Sequence, residues 1–228
     1  MFAQVEGIYP WPYDKRWSAA DTALVITDMQ ADFLDPDGWF ASTGGDIRPL
    51  RGIVPNVIKL LEAARRTGLR PIFTVESHRA DLSDVPKTKM WRTQRLGRAV
   101  GTEGPLGRAL IRGEPGASIV PELAPLPGEP VVEKPGKSAF IATDFDQLLR
   151  RRNIRNLVFA GLTTDGAVQC TLRDANDRGY ECLLLRDATA SDVVKDHEDQ
   201  VHTLSLAGGH YGSIATVDQF LDALGKKA

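Results

Sequence analysis

Apolar runs and helical stripes alternate along this chain. Thr22-Ala23-Leu24-Val25-Ile26-Thr27 reads as a strand buried on both faces, and it ends at Asp28. Over 53–66 the apolar residues Val54, Val57, Ile58, Leu61 and Ala64 recur at helical spacing, and Thr67-Gly68 stops the helix. A second strand is predicted over 70–75, followed by Glu76-Ser77-His78-Arg79. A short strand over 129–133 leads into Lys134-Pro135-Gly136-Lys137, and a helix over 144–152 is capped from Thr143. Leu157-Val158-Phe159-Ala160, bounded by Gly161, is another buried strand. It passes through Thr163, Thr164 and Asp165-Gly166 into a helix carrying Ala167, Val168, Thr171, Leu172 and Ala175 on its apolar stripe. A strand over 181–186, a helix over 197–206, a strand over 213–217 and a helix over 218–224 complete the pattern.

Two stretches lack this rhythm. Residues 31–45, with Asp32, Asp35, Asp37 and several glycines, predict a long loop over a site. Residues 81–129 predict a long excursion with short helical pieces near 90–100 and 119–123. Residues 1–20 hold Tyr9-Pro10-Trp11-Pro12-Tyr13 and predict an N-terminal arm packed on the domain or on a neighbouring subunit, since aromatics so dense are costly to leave in water. Strands alternating with helices imply a three-layer α/β/α fold around a mostly parallel, six-stranded, Rossmann-like sheet with right-handed crossovers. With no linker, repeat or low-complexity run, 1–228 reads as a single domain.

Composition narrows the function classes. At 42% hydrophobic and 25% charged residues the chain resembles an ordinary soluble protein. A net charge of −2 leaves no electrostatic footprint for nucleic acid or an anionic membrane. No apolar run has the roughly 18 to 20 residues of a membrane helix, and no secretory signal is visible, so a cytoplasmic location is expected. Cys170 and Cys182 are too few for a disulfide framework.

In parallel sheets ligands bind beyond the carboxyl ends of the strands. Asp28, Glu76, His78, Lys134, the 161–167 turn and Asp187 are all predicted there. Asp28 suits a general base or a loop cap. Lys134 suits a partner for Asp28, a stabiliser of a thiolate or of an anionic transition state, or a solvated lysine; Lys137 reads as solvated. Glu76 and His78, two apart, suit a metal only if Asp35 or Asp37 completes the set, so no metal site is predicted, and a substrate-contacting or structural His78 is preferred. The strand–turn–helix at 157–177 is a setting that stabilises an oxyanion or lowers a thiol pKa, yet its first helical side chain is the methyl of Ala167. Cys170, three residues on, reads as a small buried hydrophobe rather than a nucleophile.

These residues carry a resemblance. Over nearly its whole length the chain resembles the cysteine hydrolases of the isochorismatase-like superfamily, through ALVITDMQADF at 23–33, EKPGKSAF at 133–140 and GLTTDGAVQCTLRDANDRGYECLLLRDAT at 161–189. PWPY at 10–13, ESHRADLSDVP at 76–86, WRTQR at 91–95 and GEPG at 113–116 make it most similar to the biuret, triuret and guanylurea hydrolases. The resemblance implies an isochorismatase-like fold and cleavage of C–N bonds in a small urea-type amide or ureido compound. It implies an Asp-Lys-Cys triad at Asp28, Lys134 and position 167, with an oxyanion held by backbone N–H groups of Thr163 and Ala167. In relatives the peptide corresponding to Leu162–Thr163 is cis. Substrate contacts are expected from Phe33, His78 and Arg79. No cofactor is expected, and the partners are a small urea or amide substrate and further copies of the chain in a dimer or tetramer.

Two positions depart from that pattern. Ala167 stands where the nucleophilic cysteine belongs, as in an engineered Cys→Ala variant, which would be inactive. Ala207 stands where a biuret hydrolase carries glutamine. The competing expectations are a non-cysteine, isochorismatase-type ether hydrolase and a catalytically dead binding protein.

Overall fold

The computed structural model describes residues 1–226. Its strands are β1 (Thr22–Thr27), β2 (Arg70–Glu76), β3 (Glu103–Gly104), β4 (Gly107–Arg108), β5 (Val131–Lys134), β6 (Asn156–Leu162), β7 (Glu181–Ala190) and β8 (Ser213–Ala215). The helices are α1 (Ala31–Leu34), α2 (Trp39–Ser42), α3 (Ile47–Gly52), α4 (Val54–Thr67), α5 (Lys87–Arg95), α6 (Phe145–Arg151), α7 (Gln169–Asp177), α8 (Val194–Gly209) and α9 (Val217–Gly225). Six strands form one sheet in the order β5-β2-β1-β6-β7-β8, and every pair is parallel. β3 and β4 make a separate antiparallel hairpin.

β1 lies between β2 and β6, with Val25 opposite Ile72 and Phe159, and all six of its residues are buried. Side-chain alternation then builds two cores. Leu24, Ile26, Val158 and Ala160 face α4, α9 and the N-terminal arm; Ala23, Val25, Leu157 and Phe159 face α6, α7 and α8. Each such Leu, Val or Phe removed from water contributes about 1.5–3 kcal/mol. A third cluster, Trp39 with Val100, Leu110 and Ile111, anchors the 81–129 excursion.

The arm is seated in the first core. Trp11 and Trp17 are fully buried, and Trp17 lies with its ring 5.2 Å from Trp11 and 5.5 Å from Phe220 of α9.

Most sequence boundaries fall within a few residues of the observed ones. The differences have physical causes. The predicted 31–45 loop contains two single-turn helices, α1 and α2, too short to show periodicity. β6 and β7 run longer than their apolar runs because polar Asn156 and Thr189 are also buried in the sheet. The expected 129–133 strand sits later, at β5. Thr143 Oγ1 does accept from Phe145 N at 3.2 Å at the start of α6. α8 leaves helical geometry at Leu206, Ala207 and Gly208, where Ala207 is exposed with φ 52°. Both cysteines are free.

Two backbone features shape the carboxyl edge of the sheet. Gly161 has φ +105°, and a Cβ there would lie 2.1 Å from the Thr27 carbonyl oxygen, so only glycine lets β6 pass this close to β1. The next turn contains the cis Leu162–Thr163 peptide.

Candidate active site

Asp28 leaves the end of β1 in the left-handed region at φ 49°, a conformation aspartate tolerates better than most residues. The turn is fixed by Asp28 N donating to Thr74 O at 3.0 Å and Gln30 N donating to Asp28 O at 2.8 Å. Lys134 ends β5, two strands away, and reaches over β2 to place Nζ 2.6 Å from Asp28 Oδ2. Thr74 of β2 donates its hydroxyl to the other oxygen, Asp28 Oδ1, at 2.7 Å. The Lys134 side chain is fully buried and that of Asp28 nearly so. Burial raises the Asp28 carboxyl above its ordinary range, against the opposing pull of the Lys134 ammonium and with help from the nearby Glu76 charge. A paired carboxylate with strengthened basicity is what a proton acceptor needs.

Glu76, at the end of β2, forms a second layer beneath the pair. Its Oε1 lies 2.7 Å from Lys89 Nζ, and its Oε2 lies 3.1 Å from Lys137 Nζ and 3.9 Å from Lys134 Nζ. Burial opposes its ionisation, yet the ammonium groups of Lys137, Lys134 and Lys89 hold its carboxyl well below the usual range. Gln30 ties this strand end to the β1 turn: Oε1 accepts from Glu76 N at 2.7 Å, while Nε2 donates to Glu76 O and Ala117 O, both at 3.0 Å.

A small pocket of about 40 Å³ opens beside these groups. Asp28, Glu76, Leu162, Thr163 and Ala167 line it, with the more exposed Phe33 and Lys137 at its mouth. Phe33 meets Trp39 edge-to-face at 6.2 Å. Lys137 is exposed, as read from the sequence, and also takes part in an ion pair that the sequence did not show. Its side chain is 60% exposed, but its ammonium is committed to Glu76. A larger open groove of about 320 Å³ beside β5, between Arg112, Ile119 and Glu133, contains none of the catalytic candidates.

The turn opposite Asp28 is held from several sides. Gly166 N and Val168 N both donate to Thr163 O, at 3.0 and 3.1 Å. Thr164 Oγ1 lies 2.8 Å from His197 Nδ1, and Ser191 Oγ donates to Asp165 Oδ1 at 2.5 Å. Ala167 is buried, and Thr171 donates back to its carbonyl at 2.7 Å.

Asp28, Lys134, Phe33, Thr163 and Ala167 are thus brought together, whereas His78 and Arg79 are not in the pocket. His78 is wholly buried behind Glu76, with Nε2 2.7 Å from Lys89 Nζ and Nδ1 3.3 Å from Asp84 Oδ1. Burial and the Lys89 ammonium lower its pKa. An ammonium donating to Nε2 leaves Nδ1 to carry the ring proton toward Asp84. Arg79 is exposed; its backbone N–H donates to Asp84. Neither is among the residues that line the pocket. Asp187 is not at the strand edge either. β7 continues to Ala190, and Asp187 Oδ1 accepts from Val217 N at 2.8 Å at the start of α9. Asp35 Oδ1 accepts from Asp37 N within its own turn, and among the described residues no group of three or more His, Cys, Asp or Glu is placed to hold a metal. Cys170 is absent from the pocket lining, and burial raises its thiol pKa. Ala207, exposed in the α8 kink, does not line it.

Sequence reasoning missed Lys89, Thr74 and Gln30. Lys89 lies in the aperiodic excursion, where no pattern marks it. Thr74 and Gln30 differ from ordinary strand and loop residues only through their partners.

The site is thus a parallel α/β sheet with a buried Asp–Lys pair at its carboxyl edge. Residues 22–216 match the Isochorismatase domain family, and the chain belongs to the isochorismatase family of hydrolases. It is 32% identical over 212 residues to the ureidoacrylate amidohydrolase RutB of Agrobacterium fabrum, covering 92% of each chain. Among solved structures it is similar to a cysteine hydrolase from Pseudomonas syringae pv. phaseolicola, with TM-score 0.77, 25% identity and 97% of each chain covered. It is also similar to N-carbamoylsarcosine amidase from Thermoplasma acidophilum, with TM-score 0.66, 25% identity, and 87% of this chain and 97% of that one covered.

Proposed function

We propose that this protein is an amidohydrolase scaffold for a small urea-type compound such as biuret, triuret, guanylurea or another ureido amide, and that Ala167 occupies the place of its nucleophilic cysteine. The observation that carries the reading is the buried Asp28–Lys134 pair, 2.6 Å apart, whose Asp28 lines a small pocket together with position 167. The relatives, an amidohydrolase and an amidase, support the same bond class.

With a thiol at 167, Asp28 accepts its proton and the sulfur attacks the carbonyl carbon. Lys134 balances the charge on Asp28, and the backbone N–H groups of Thr163 and residue 167 receive the developing oxyanion. The C–N bond then breaks, and ammonia or an amine leaves with the proton from Asp28. Water, deprotonated by Asp28, cleaves the resulting thioester and regenerates the thiol. Phe33 covers the planar ligand at the pocket mouth.

In the chain as it stands a methyl group cannot attack, so binding without turnover is expected. Ala167 itself favours a second reading, a binding protein that keeps the pocket. The experiment is Ala167→Cys assayed against biuret, triuret, guanylurea and ureido acids for released ammonia. Turnover orders of magnitude above the Ala167 protein supports the enzyme reading. A folded but inactive Ala167→Cys protein overturns it and favours the binding protein, and comparable turnover by the Ala167 protein favours non-covalent hydrolysis through Asp28.

A further inference from the structure

The Lys89 ammonium is surrounded by three acceptors from three places in the chain: Glu76 Oε1 at 2.7 Å, His78 Nε2 at 2.7 Å and the Pro135 carbonyl at 2.9 Å. Three N–H donors meet three acceptors, so this cation is fully satisfied, and its side chain is only 15% exposed. It comes from α5, a helix whose apolar residues make little of its attachment, since Trp91 is 57% exposed and Thr93 is its one buried residue. A lysine this committed, on a helix with so little apolar anchorage, has a task in the network it enters.

That task follows from the charges around Glu76. Glu76 and Asp28 are both buried carboxylates, and Lys134 lies between them, 2.6 Å from Asp28 and 3.9 Å from Glu76. Lys137 reaches Glu76 from the pocket side, and Asp84, which faces His78 and Arg112, closes the far end. Without a cation on Oε1, Glu76 is left with the exposed Lys137 and with Lys134, and it competes with Asp28 for Lys134.

We propose that Lys89 is a positioning residue for the reaction, holding Glu76 away from Lys134 so that Lys134 stays committed to Asp28. The catalytic part rests on the proposed amidohydrolase reading; the network part stands without it. Lys89 touches neither substrate nor pocket and acts only through Glu76 and, by donating to Nε2, through the tautomer of His78.

Two variants test this. Lys89→Met fills the space without charge, and Lys89→Ala leaves a gap that a small amine can enter. In the chain as it stands, carboxyl 13C and imidazole 15N titrations read Asp28 and His78 directly. Loss of the Lys89 charge should move both midpoints to higher pH in Lys89→Met, because His78 loses the cation at its ring and Asp28 must share Lys134 with Glu76. In an Ala167→Cys background the same variants should lower kcat roughly 10- to 100-fold with KM little changed, and move the acid limb of the pH profile upward. Ethylammonium should restore part of kcat in Lys89→Ala and none in Lys89→Met. Unmoved Asp28 and His78 titrations in folded Lys89→Met overturn the proposal, as does an amine-insensitive Lys89→Ala enzyme. Should Ala167→Cys itself be inactive, the amidohydrolase reading fails, and the Asp28 titration alone decides whether Lys89 secures the Asp28–Lys134 pair.

Discussion

Lys134 Nζ and Asp28 Oδ2 meet at 2.6 Å from opposite sides of β2, from positions 106 apart in the chain and with almost no access to water. Taking two such charges out of solvent is costly, and their attraction offsets that cost only while both are present. Lys134→Met or Asp28→Leu alone should therefore destabilise the fold by about 3–5 kcal/mol, because each leaves a buried charge without its close partner. The double variant should lose less than the sum of the two, as urea denaturation in a double-mutant cycle would show. Additive losses would mean that the pair is not energetically coupled.

Glu76 gives the protein an acid-dependent stability with a definite sign. Its folded-state pKa is lowered by the ammonium groups of Lys137, Lys134 and Lys89, relative to about 4.3 for an unfolded glutamate. The stabilisation is fully present above that unfolded value and is lost as pH falls toward the lower folded one. Glu76→Gln should be clearly less stable than the parent at pH 7, and the gap should narrow below about pH 4. Denaturation curves that keep a constant gap from pH 6 to pH 3 would rule this out.

Phe33 is half-buried at the pocket mouth, whereas Arg79 is exposed and outside it. In the Ala167→Cys background, Phe33→Ala should raise KM for the best urea substrate on the order of tenfold. Its cost in stability should stay within about 1.5–3 kcal/mol. Arg79→Ala should leave KM within about twofold, as expected of a surface side chain. An unchanged KM in Phe33→Ala would remove Phe33 from the ligand site.

Trp17 is buried between Phe2, Trp11 and Phe220, and its indole N–H donates to Ala3 O at 2.7 Å. Trp17→Ala should cost about 3–5 kcal/mol, measured by chemical denaturation. A loss below about 1 kcal/mol would indicate an arm that contributes little to folding.

The sequence by itself determined the sheet and most of its edge. Buried strands write themselves as continuous apolar runs, so Thr22–Thr27 and Leu157 to Ala160 were legible, and with them the positions of Asp28 and the 161–167 turn at strand ends. The inert side chain at Ala167 was equally plain, because it needs no partner to be read. Only the tertiary structure decided what the charged residues do. Lys134 pairs with Asp28 because β2 sits between their strands, and strand order is set by packing of both sheet faces rather than by any local pattern. Lys137 is exposed as its position suggests, but only the fold shows that it pairs with Glu76, and only the fold sets Lys89 against the ring of His78. A charge buried in a fold takes its role from neighbours far away in the chain, and hydrophobic periodicity, which reports only which face is turned from water, carries no record of them.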